Sequence, residues 1–202
     1  FSFHDTKNIT SGEGGMLVVN NKKLNDRADV IWQHGTNKAA FSKGEIEKYG
    51  WVDIGSSFLP SEITAAFLYA QLERFESIQL RRMKIWQRYY AGLKNNLPLE
   101  KVKMPFVPEY SIHNAHMFYL VFHQYDVRQK FIHFMNEKNI QVVFHYLSLN
   151  ESKFYAKSKQ SITLTETLRY EKGIVRLPLY YELKDEHIDY VISMTQEFFN
   201  HH

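Results

Sequence analysis

The 202 residues carry 25 Lys and Arg against 22 Asp and Glu, a net charge of +3 with neutral histidines, and 44% of them are hydrophobic. This is the composition of an ordinary soluble protein of one or two domains with a real core, and so mild a charge predicts no nucleic-acid partner. No apolar run reaches the ~18 residues that a transmembrane helix needs. The absence of cysteine excludes disulfides and thiolate chemistry. Together with the lack of a basic-then-apolar leader, it favours a cytoplasmic protein.

The first 60 residues alternate between short regular elements and loops. Residues 1–20 are predicted to form a strand end, a polar turn and a glycine-dense hairpin that leads into a strand at 16–19. A helix is predicted over 22–34. Residues 35–60 show no steady period and indicate a long loop, and loops of that length are usually functional or disordered.

Two helical patterns follow this loop. Ser61 is predicted to cap the first, and the second, over 76–94, has Ile85, Tyr89 and Leu93 on one face. The character of the sequence then changes to a compact α/β pattern, so we place a domain boundary near residue 75.

Beyond Pro98 the pattern predicts a small sheet with helices packed against it. The predicted elements are a strand at 116–122, a helix capped by Asp126, a strand at 140–147, a helix begun by the capping box Thr163-x-x-Glu166, a strand at 174–177 and a helix at 185–199.

One lysine stands in an unusual setting near the start of the chain. Lys7 follows an aromatic-rich segment and precedes the glycine-dense hairpin. Without such a setting, a lysine is most often a solvated surface charge. A lysine that is fixed by packing and desolvated is instead nucleophilic and forms an imine with an aldehyde. The hydroxyls of Ser2 and Thr6 are near in sequence and suit a phosphate, so the pattern indicates a site for an aldehyde cofactor.

Several motifs share their order and spacing with one enzyme family. They are Ser-Phe-His-x-x-Lys-Asn at 2–8, Gly-Glu-Gly-Gly at 12–15, and the segments 34–37, 53–62, 65–66, 113–119, 143–146 and 176–179. In these motifs the chain resembles the DegT/DnrJ/EryC1 family of sugar-nucleotide aminotransferases, which use pyridoxal 5′-phosphate on a type I aminotransferase fold. The motifs run in order along nearly the whole chain, so chance similarity is a poor explanation.

The resemblance implies an α/β fold, the C-terminal part of a PLP-dependent type I aminotransferase. Residues 1–75 would be the C-terminal end of the PLP-binding large domain, and 76–202 the small C-terminal α/β domain. Roughly the first half of the family's length has no counterpart here. We therefore interpret the chain as a C-terminal portion of a longer enzyme.

The same resemblance implies roles for individual residues. Lys7 would form the imine with the cofactor aldehyde and then act as general base and acid, and Ser2 would bind the cofactor phosphate. In many relatives an asparagine reaches the cofactor phosphate of the neighbouring subunit. This chain has Leu59 at the position of that asparagine, and Ser57 would substitute for it. For Ser2 and Ser57 the alternatives are a structural strand serine and a plain turn before a helix cap.

Substrate contacts are implied at other positions. His145 and Tyr146 follow the predicted strand at 140–147, where relatives line the sugar-nucleotide pocket. Lys38 in the long loop would meet a pyrophosphate, although a solvated loop also carries lysines. His113 and His116 have an H-x-x-H spacing, but without cysteines or a nearby carboxylate we predict no metal site.

The implied reaction moves an amino group from L-glutamate to the keto carbon of a dTDP-4-keto-6-deoxyhexose, in a homodimer with shared active sites. The product would serve cell-surface polysaccharide synthesis. A sugar C3-dehydratase of the same fold has a histidine in place of the lysine, and Lys7 argues against it. A 3-amino or other epimeric product stays open. So does a non-catalytic dimerisation or binding module, because the other half of the fold is absent.

Overall fold

The computed structural model describes residues 1–157 and 164–201, and the chain divides into two compact units, Phe1–Phe75 (unit 1) and Glu76–His202 (unit 2). The helices are α1 Asn25–Trp32, α2 Lys38–Ser42, α3 Glu62–Glu73, α4 Phe75–Leu93, α5 Tyr125–Glu137, α6 Lys153–Ala156, α7 Thr165–Gly173 and α8 Asp185–His201. The strands are β1 Val102–Lys103, β2 Phe118–Phe122 and β3 Ile174–Leu177.

Unit 1 contains the predicted helices but not the predicted strand at 16–19. The helix expected over 22–34 is a short 3-10 turn, Lys22–Leu24, followed by α1. Residues 16–19 have no ladder among the described residues, and Leu17 is 78% exposed. The prediction of a strand there is wrong because a strand needs a neighbouring backbone, and the hairpin bonds to this stretch at Met16 alone, through Met16 N–H to Phe1 O and the Phe1 amine to Met16 O.

Helix α3 begins where the sequence predicts. The Ser61 hydroxyl accepts a hydrogen bond from Thr64 N–H at 3.2 Å, and Glu62 lies in the first turn. Both features stabilise a helix N-terminus, the first by satisfying an orphan N–H and the second by its charge.

Unit 1 buries little apolar surface of its own. Within residues 1–75, all of which are described, Ile9 is the one large hydrophobic residue that is buried. Trp51, Ile54 and Ile63 are each 80% exposed or more. Apolar surface on this scale is unusual for a free-standing domain and marks a contact surface.

Unit 2 has a well-packed core built on the predicted face of α4. Ile85, Tyr89 and Leu93 are completely buried, as the helical spacing predicts. They pack with aromatic residues of β2 and α5, among them Phe118 and Phe131, which are also fully buried. These side chains share one continuous core, so α4 and the sheet are expected to unfold together.

The sheet of unit 2 is antiparallel, in the order β1-β2-β3. The predicted strand at 174–177 is β3, and the strand predicted over 116–122 is β2, which is shorter by two residues. The strand predicted over 140–147 is wrong. In the described residues this stretch makes one isolated bridge, Val143 to Arg176, because it meets β3 at a single residue pair and has no continuous ladder there.

Helix starts in unit 2 differ from the sequence prediction. The N-cap of α5 is Gln124, which makes no side-chain cap bond, and Asp126 lies inside the first turn. The cap assigned to Asp126 is therefore wrong, although its charge is well placed for the helix dipole. Thr163 of the predicted capping box lies outside the described residues, and α7 begins at Thr165.

Candidate functional site

Lys7 lies in a turn whose two arms are joined through the main chain. Ser2 and Gly15 form an isolated antiparallel bridge. Lys7 N–H donates to His4 O at 2.9 Å and closes the turn. The hairpin thus holds Ser2 on one arm and Lys7 at the tip, which brings the two predicted cofactor residues onto one local structure.

The imidazole of His4 ties this turn to the glycine loop. Its Nδ1 lies 3.3 Å from Thr6 N–H and 2.6 Å from Asp5 Oδ1. Its Nε2 lies 3.4 Å from Glu13 Oε1. One ring therefore contacts both sides of the hairpin, so His4 restricts the backbone from which the Lys7 side chain extends.

Neither predicted cofactor residue on the hairpin is buried. Lys7 and Ser2 are both exposed in the described structure, whereas the sequence interpretation expects a desolvated Lys7. That expectation of burial is wrong for this chain. The reason is that the turn projects from a unit whose only large buried hydrophobic residue is Ile9.

A small cavity lies beside the hairpin in unit 1. It has a volume of about 190 Å³ and is walled by one side of the hairpin and by α3; its lining residues include Phe3, Gly14, Ala65 and Leu68. Lys7 and Ser2 do not line it. The cavity is mostly apolar, so it provides packing space and no evident set of polar ligands.

The segment that carries Ser57 is held by a close backbone approach. A Cβ on Gly55 would lie 2.1 Å from Gly35 N, so only glycine fits at this crossing. Ser57 pairs with Gln33 in an isolated bridge and is exposed. It is not at the end of a helix, since Ser61 caps α3; any anion contact by Ser57 rests on its own hydroxyl and backbone.

Lys38 is the first residue of α2 and is exposed. Among the other lysines of this loop, Lys43 is engaged with Asp29, with 3.3 Å between Nζ and Oδ2. The fold does not bring Lys38 into a described cluster of cations, so its predicted pyrophosphate contact stays a prediction.

In unit 2, His145 and Tyr146 lie side by side, with ring centroids 5.2 Å apart. His145 is half-buried and Tyr146 is 77% exposed. Burial, and next the positive charge of Arg176, lower the pKa of His145. The imidazole is therefore held neutral over a wider pH range than a solvated histidine, and a cation stands beside it.

In the described structure His113 contacts an aromatic ring and the backbone. The His113 ring packs on Trp86 with centroids 4.3 Å apart, and its Nδ1 accepts from Ala115 N–H at 3.2 Å. Across the described residues, no group of three or more His, Cys, Asp and Glu side chains is arranged to hold a metal. His113 therefore has a packing role.

Sequence reasoning gives no role to His4 or Arg176, although both lie inside quoted motifs. A signal for Arg176 exists in the sequence, since it is a charge within the otherwise apolar stretch 174–177. His4 has no comparable signal, because its partners are contacts of a turn that only the folded chain reveals.

No helix in the described part of the chain is both long and apolar enough to cross a membrane.

Residues 1–196 match the DegT/DnrJ/EryC1/StrS aminotransferase family. A relative from Bacillus subtilis (strain 168), the spore coat polysaccharide biosynthesis protein SpsC, is 27% identical over 206 residues, covering 98% of this chain and 52% of SpsC.

Solved structures with the same fold are similar along the whole chain. Helicobacter pylori PseC, an aminotransferase involved in the biosynthesis of pseudoaminic acid, has a TM-score of 0.85 at 20% identity, covering 99% of this chain and 52% of PseC. The aminotransferase TlmJ from Streptoalloteichus hindustanus has a TM-score of 0.84 at 20% identity, covering 99% and 51%. The predicted fold class is confirmed, and the chain spans about half the length of the relatives it matches.

Proposed function

The chain belongs to the DegT/DnrJ/EryC1/StrS aminotransferase family, and from this premise we propose that the protein containing it is a PLP-dependent sugar-nucleotide aminotransferase. It transfers the amino group of L-glutamate to the keto carbon of a dTDP-4-keto-6-deoxyhexose. The observation that carries the proposal is the hairpin with Lys7 at its tip and Ser2 on its arm, inside the part of the chain that the family match covers.

The side chains on this hairpin fit the two polar ends of pyridoxal 5′-phosphate. Lys7 offers a primary amine to the aldehyde and Ser2 a hydroxyl to the phosphate, and both are accessible. When bound, the cofactor supplies an electron sink for the pair left when the substrate C–H bond breaks. Residues 1–75 would then be the end of the PLP-binding large domain, and 76–202 the small domain.

A few side chains of the protein take part in the reaction or hold the cofactor. Lys7 Nζ accepts the proton from the substrate α-carbon and later returns a proton as general acid. Ser2 Oγ donates a hydrogen bond to a phosphate oxygen, and Ser57 does the same in the site of a second subunit. His4 fixes the turn from which Lys7 projects, through its contacts with Thr6 and Glu13.

Substrate binding is assigned to polar residues in both units. His145 and Tyr146 bind the sugar nucleotide, and Lys38 meets its pyrophosphate. We further propose the dTDP-4-amino-4,6-dideoxygalactose transaminase activity, whose product enters lipopolysaccharide or enterobacterial common antigen. This choice is supported by the Gly-Ser-Ser-aromatic-Leu-Pro-Ser-Glu segment at 55–62. The enzyme would be a cytoplasmic homodimer.

A second candidate applies to the isolated 202 residues: a non-catalytic dimerisation or binding module. The exposed apolar surface of unit 1 and the exposed Lys7 favour it. We therefore expect this chain alone to retain PLP weakly or not at all. Absorbance distinguishes the two candidates, because a tightly held chromophore that borohydride abolishes would exclude the module.

The substrate assignment is tested with the full-length protein, dTDP-4-keto-6-deoxyglucose and L-glutamate. NMR of the product is expected to show an amine at C4 with the galactose configuration, and 2-oxoglutarate forms in equal amount. A product aminated at C3 or of the other epimer would contradict the substrate assignment while leaving the aminotransferase class in place. No amination of any keto sugar would contradict the class.

A further inference from the structure

Arg176 lies in the middle of a row of side chains on the outer face of the small sheet. In the β2–β3 ladder it pairs directly with Tyr119, and on its other side it forms the isolated bridge with Val143. Directly paired antiparallel residues project to the same face, and neighbours along a strand project to the opposite face. Leu120 and Val175 are fully buried in the core. Arg176 therefore faces away from the core.

The fold leaves polar atoms on this face without partners. Arg176 Nε and His145 Nδ1 are both buried and have no hydrogen-bond partner among the described residues. A buried N–H left unpaired is unfavourable, because it loses its hydrogen bond to water and gains none in return. By contrast, the buried guanidinium of Arg82 donates to Ala115 O and His116 O, at 3.2 and 2.7 Å. Within the described residues, acceptors are thus supplied to the guanidinium of Arg82 and not to the Nε of Arg176.

Two further arginines have an unpartnered Nε but are engaged elsewhere. Arg128 donates from a terminal nitrogen to Glu171 O, and Arg169 forms an ion pair with Glu166 at 2.9 Å. These bonds account for the orientation of both side chains. Within the part of the chain that the structure describes, the terminal nitrogens of Arg176 make no comparable bond.

The carboxylates that pair with arginine in the described part of the chain serve other residues. They pair with Arg27, Arg81, Arg88 and Arg169, and none of these ion pairs includes Arg176. The charge of Arg176 nevertheless acts on His145. The guanidinium of Arg176 thus acts on the imidazole of His145, and each group has a buried nitrogen without a hydrogen-bond partner among the described residues. None of the carboxylates in these ion pairs neutralises Arg176.

We propose that Arg176, assisted by His145, binds one oxyanion of a substrate. The planar guanidinium matches a carboxylate or a phosphate with two parallel hydrogen bonds, which a lysine does not. The ligand chemistry is therefore an oxyanion, supplied by the carboxylate of the amino donor or by the phosphate of the sugar nucleotide. This inference rests on the proposed function for its substrates and adds Arg176 as a specificity-determining residue.

Direct binding to the isotope-labelled full-length protein tests the proposal without any turnover. The His145 ring resonances are followed by NMR during titration with inorganic pyrophosphate and, separately, with 2-oxoglutarate. We expect one of the two to shift them in the wild-type protein, and the response to be lost in Arg176→Gln. Lys172→Gln removes an exposed positive charge four residues before Arg176 in the sequence and should leave the response unchanged. If neither anion moves these resonances, the proposal is overturned.

The two half-reactions of the full-length enzyme identify the source of the oxyanion. Arg176→Gln is expected to raise the KM of one substrate about 10- to 100-fold, the loss of a charged hydrogen bond. A rise for glutamate alone assigns the carboxylate, and a rise for the sugar nucleotide alone assigns the phosphate. Arg176→Lys should recover only part of the loss, because it restores the charge without the fork.

Equal KM values in wild type and Arg176→Gln would overturn the assignment. An equal fall in the rates of both half-reactions, together with a lower thermal midpoint of unfolding, would also overturn it. The anion titration does not depend on amination, so a wrong proposed function would leave its result standing. A failed titration with intact transamination would refute Arg176 alone.

Discussion

Replacing Gly173 by alanine is expected to destabilise unit 2. Gly173 is the last residue of α7 and packs against β2, where an added Cβ would lie 2.4 Å from Phe122 O and 3.1 Å from Val121 Cγ1. A comfortable C···O contact is about 3.3 Å, so roughly 1 Å of movement is needed. The obstructing oxygen belongs to the backbone of a paired strand and moves only with the sheet.

Two effects oppose each other in this substitution. Overpacking of a well-packed site is unfavourable by about 1–3 kcal/mol. Alanine is favoured over glycine inside a helix by up to about 1 kcal/mol, and Gly173 gains less because it is the last helical residue. The clash therefore dominates, and we expect Gly173→Ala to lower the free energy of unfolding by about 1–2 kcal/mol.

Urea unfolding measures this change. Trp32 and Trp51 of unit 1 are first replaced by phenylalanine, so that the fluorescence of the buried Trp86 reports unit 2 alone. The reference is the same protein with both Trp→Phe replacements and Gly173 intact. If Gly173→Ala were as stable as this reference, the close packing of α7 on β2 would be refuted.

Three other substitutions and conditions test the account. Ser61→Ala removes the cap of α3 and should reduce its stability by about 1 kcal/mol, seen as faster amide exchange in the first turn of α3 and not in α4; equal exchange would contradict the cap. Burial and Arg176 lower the pKa of His145 below its ordinary value of about 6.5, so the native state binds fewer protons than the unfolded state. The contribution of neutral His145 to the free energy of unfolding is therefore complete above pH 6.5 and is lost as the pH falls through the lowered pKa. The urea midpoints at pH 7.5 and 5.5 should differ less in His145→Gln than in the wild type. An unchanged difference would refute this. Tyr89→Phe deletes the bond from Tyr89 Oη to Pro178 O and should lower the free energy of unfolding by about 0.5–1.5 kcal/mol, whereas a neutral result would mean that this bond contributes nothing.

Local signals in the sequence predict the helices well. The spacing of Ile85, Tyr89 and Leu93 predicts a buried face of α4, and these residues are fully buried. The cap at Ser61 is also predicted, because a hydroxyl before a helical run has a local function. Such features depend on neighbours within one or two turns, which the sequence alone displays.

Non-local pairing is what the sequence does not reveal. The stretches 16–19 and 140–147 have strand-like composition but lack a continuous partner. The two-residue strand β1 is too short to produce a pattern. A strand becomes stable only when another backbone satisfies its hydrogen bonds, and that partner is remote in sequence.

In the candidate site, too, local features are predicted from the sequence and non-local ones are not. The positions of Lys7 and Ser2 on one hairpin follow from adjacent residues and glycines, and their motif supports the family assignment. Their exposure does not follow, because burial depends on surfaces that unit 1 does not supply. The orphan atoms of Arg176 and His145 emerge only once β3 is placed beside Val143.

The covalent role of Lys7 is the central claim, and borohydride trapping tests it most directly. The full-length protein loaded with PLP is reduced, digested and sequenced by mass spectrometry. The account predicts a stable pyridoxyl adduct on Lys7 as the major modified lysine, and its loss together with the visible absorbance band in Lys7→Arg. Stoichiometric modification of another lysine, with Lys7 untouched, would contradict it.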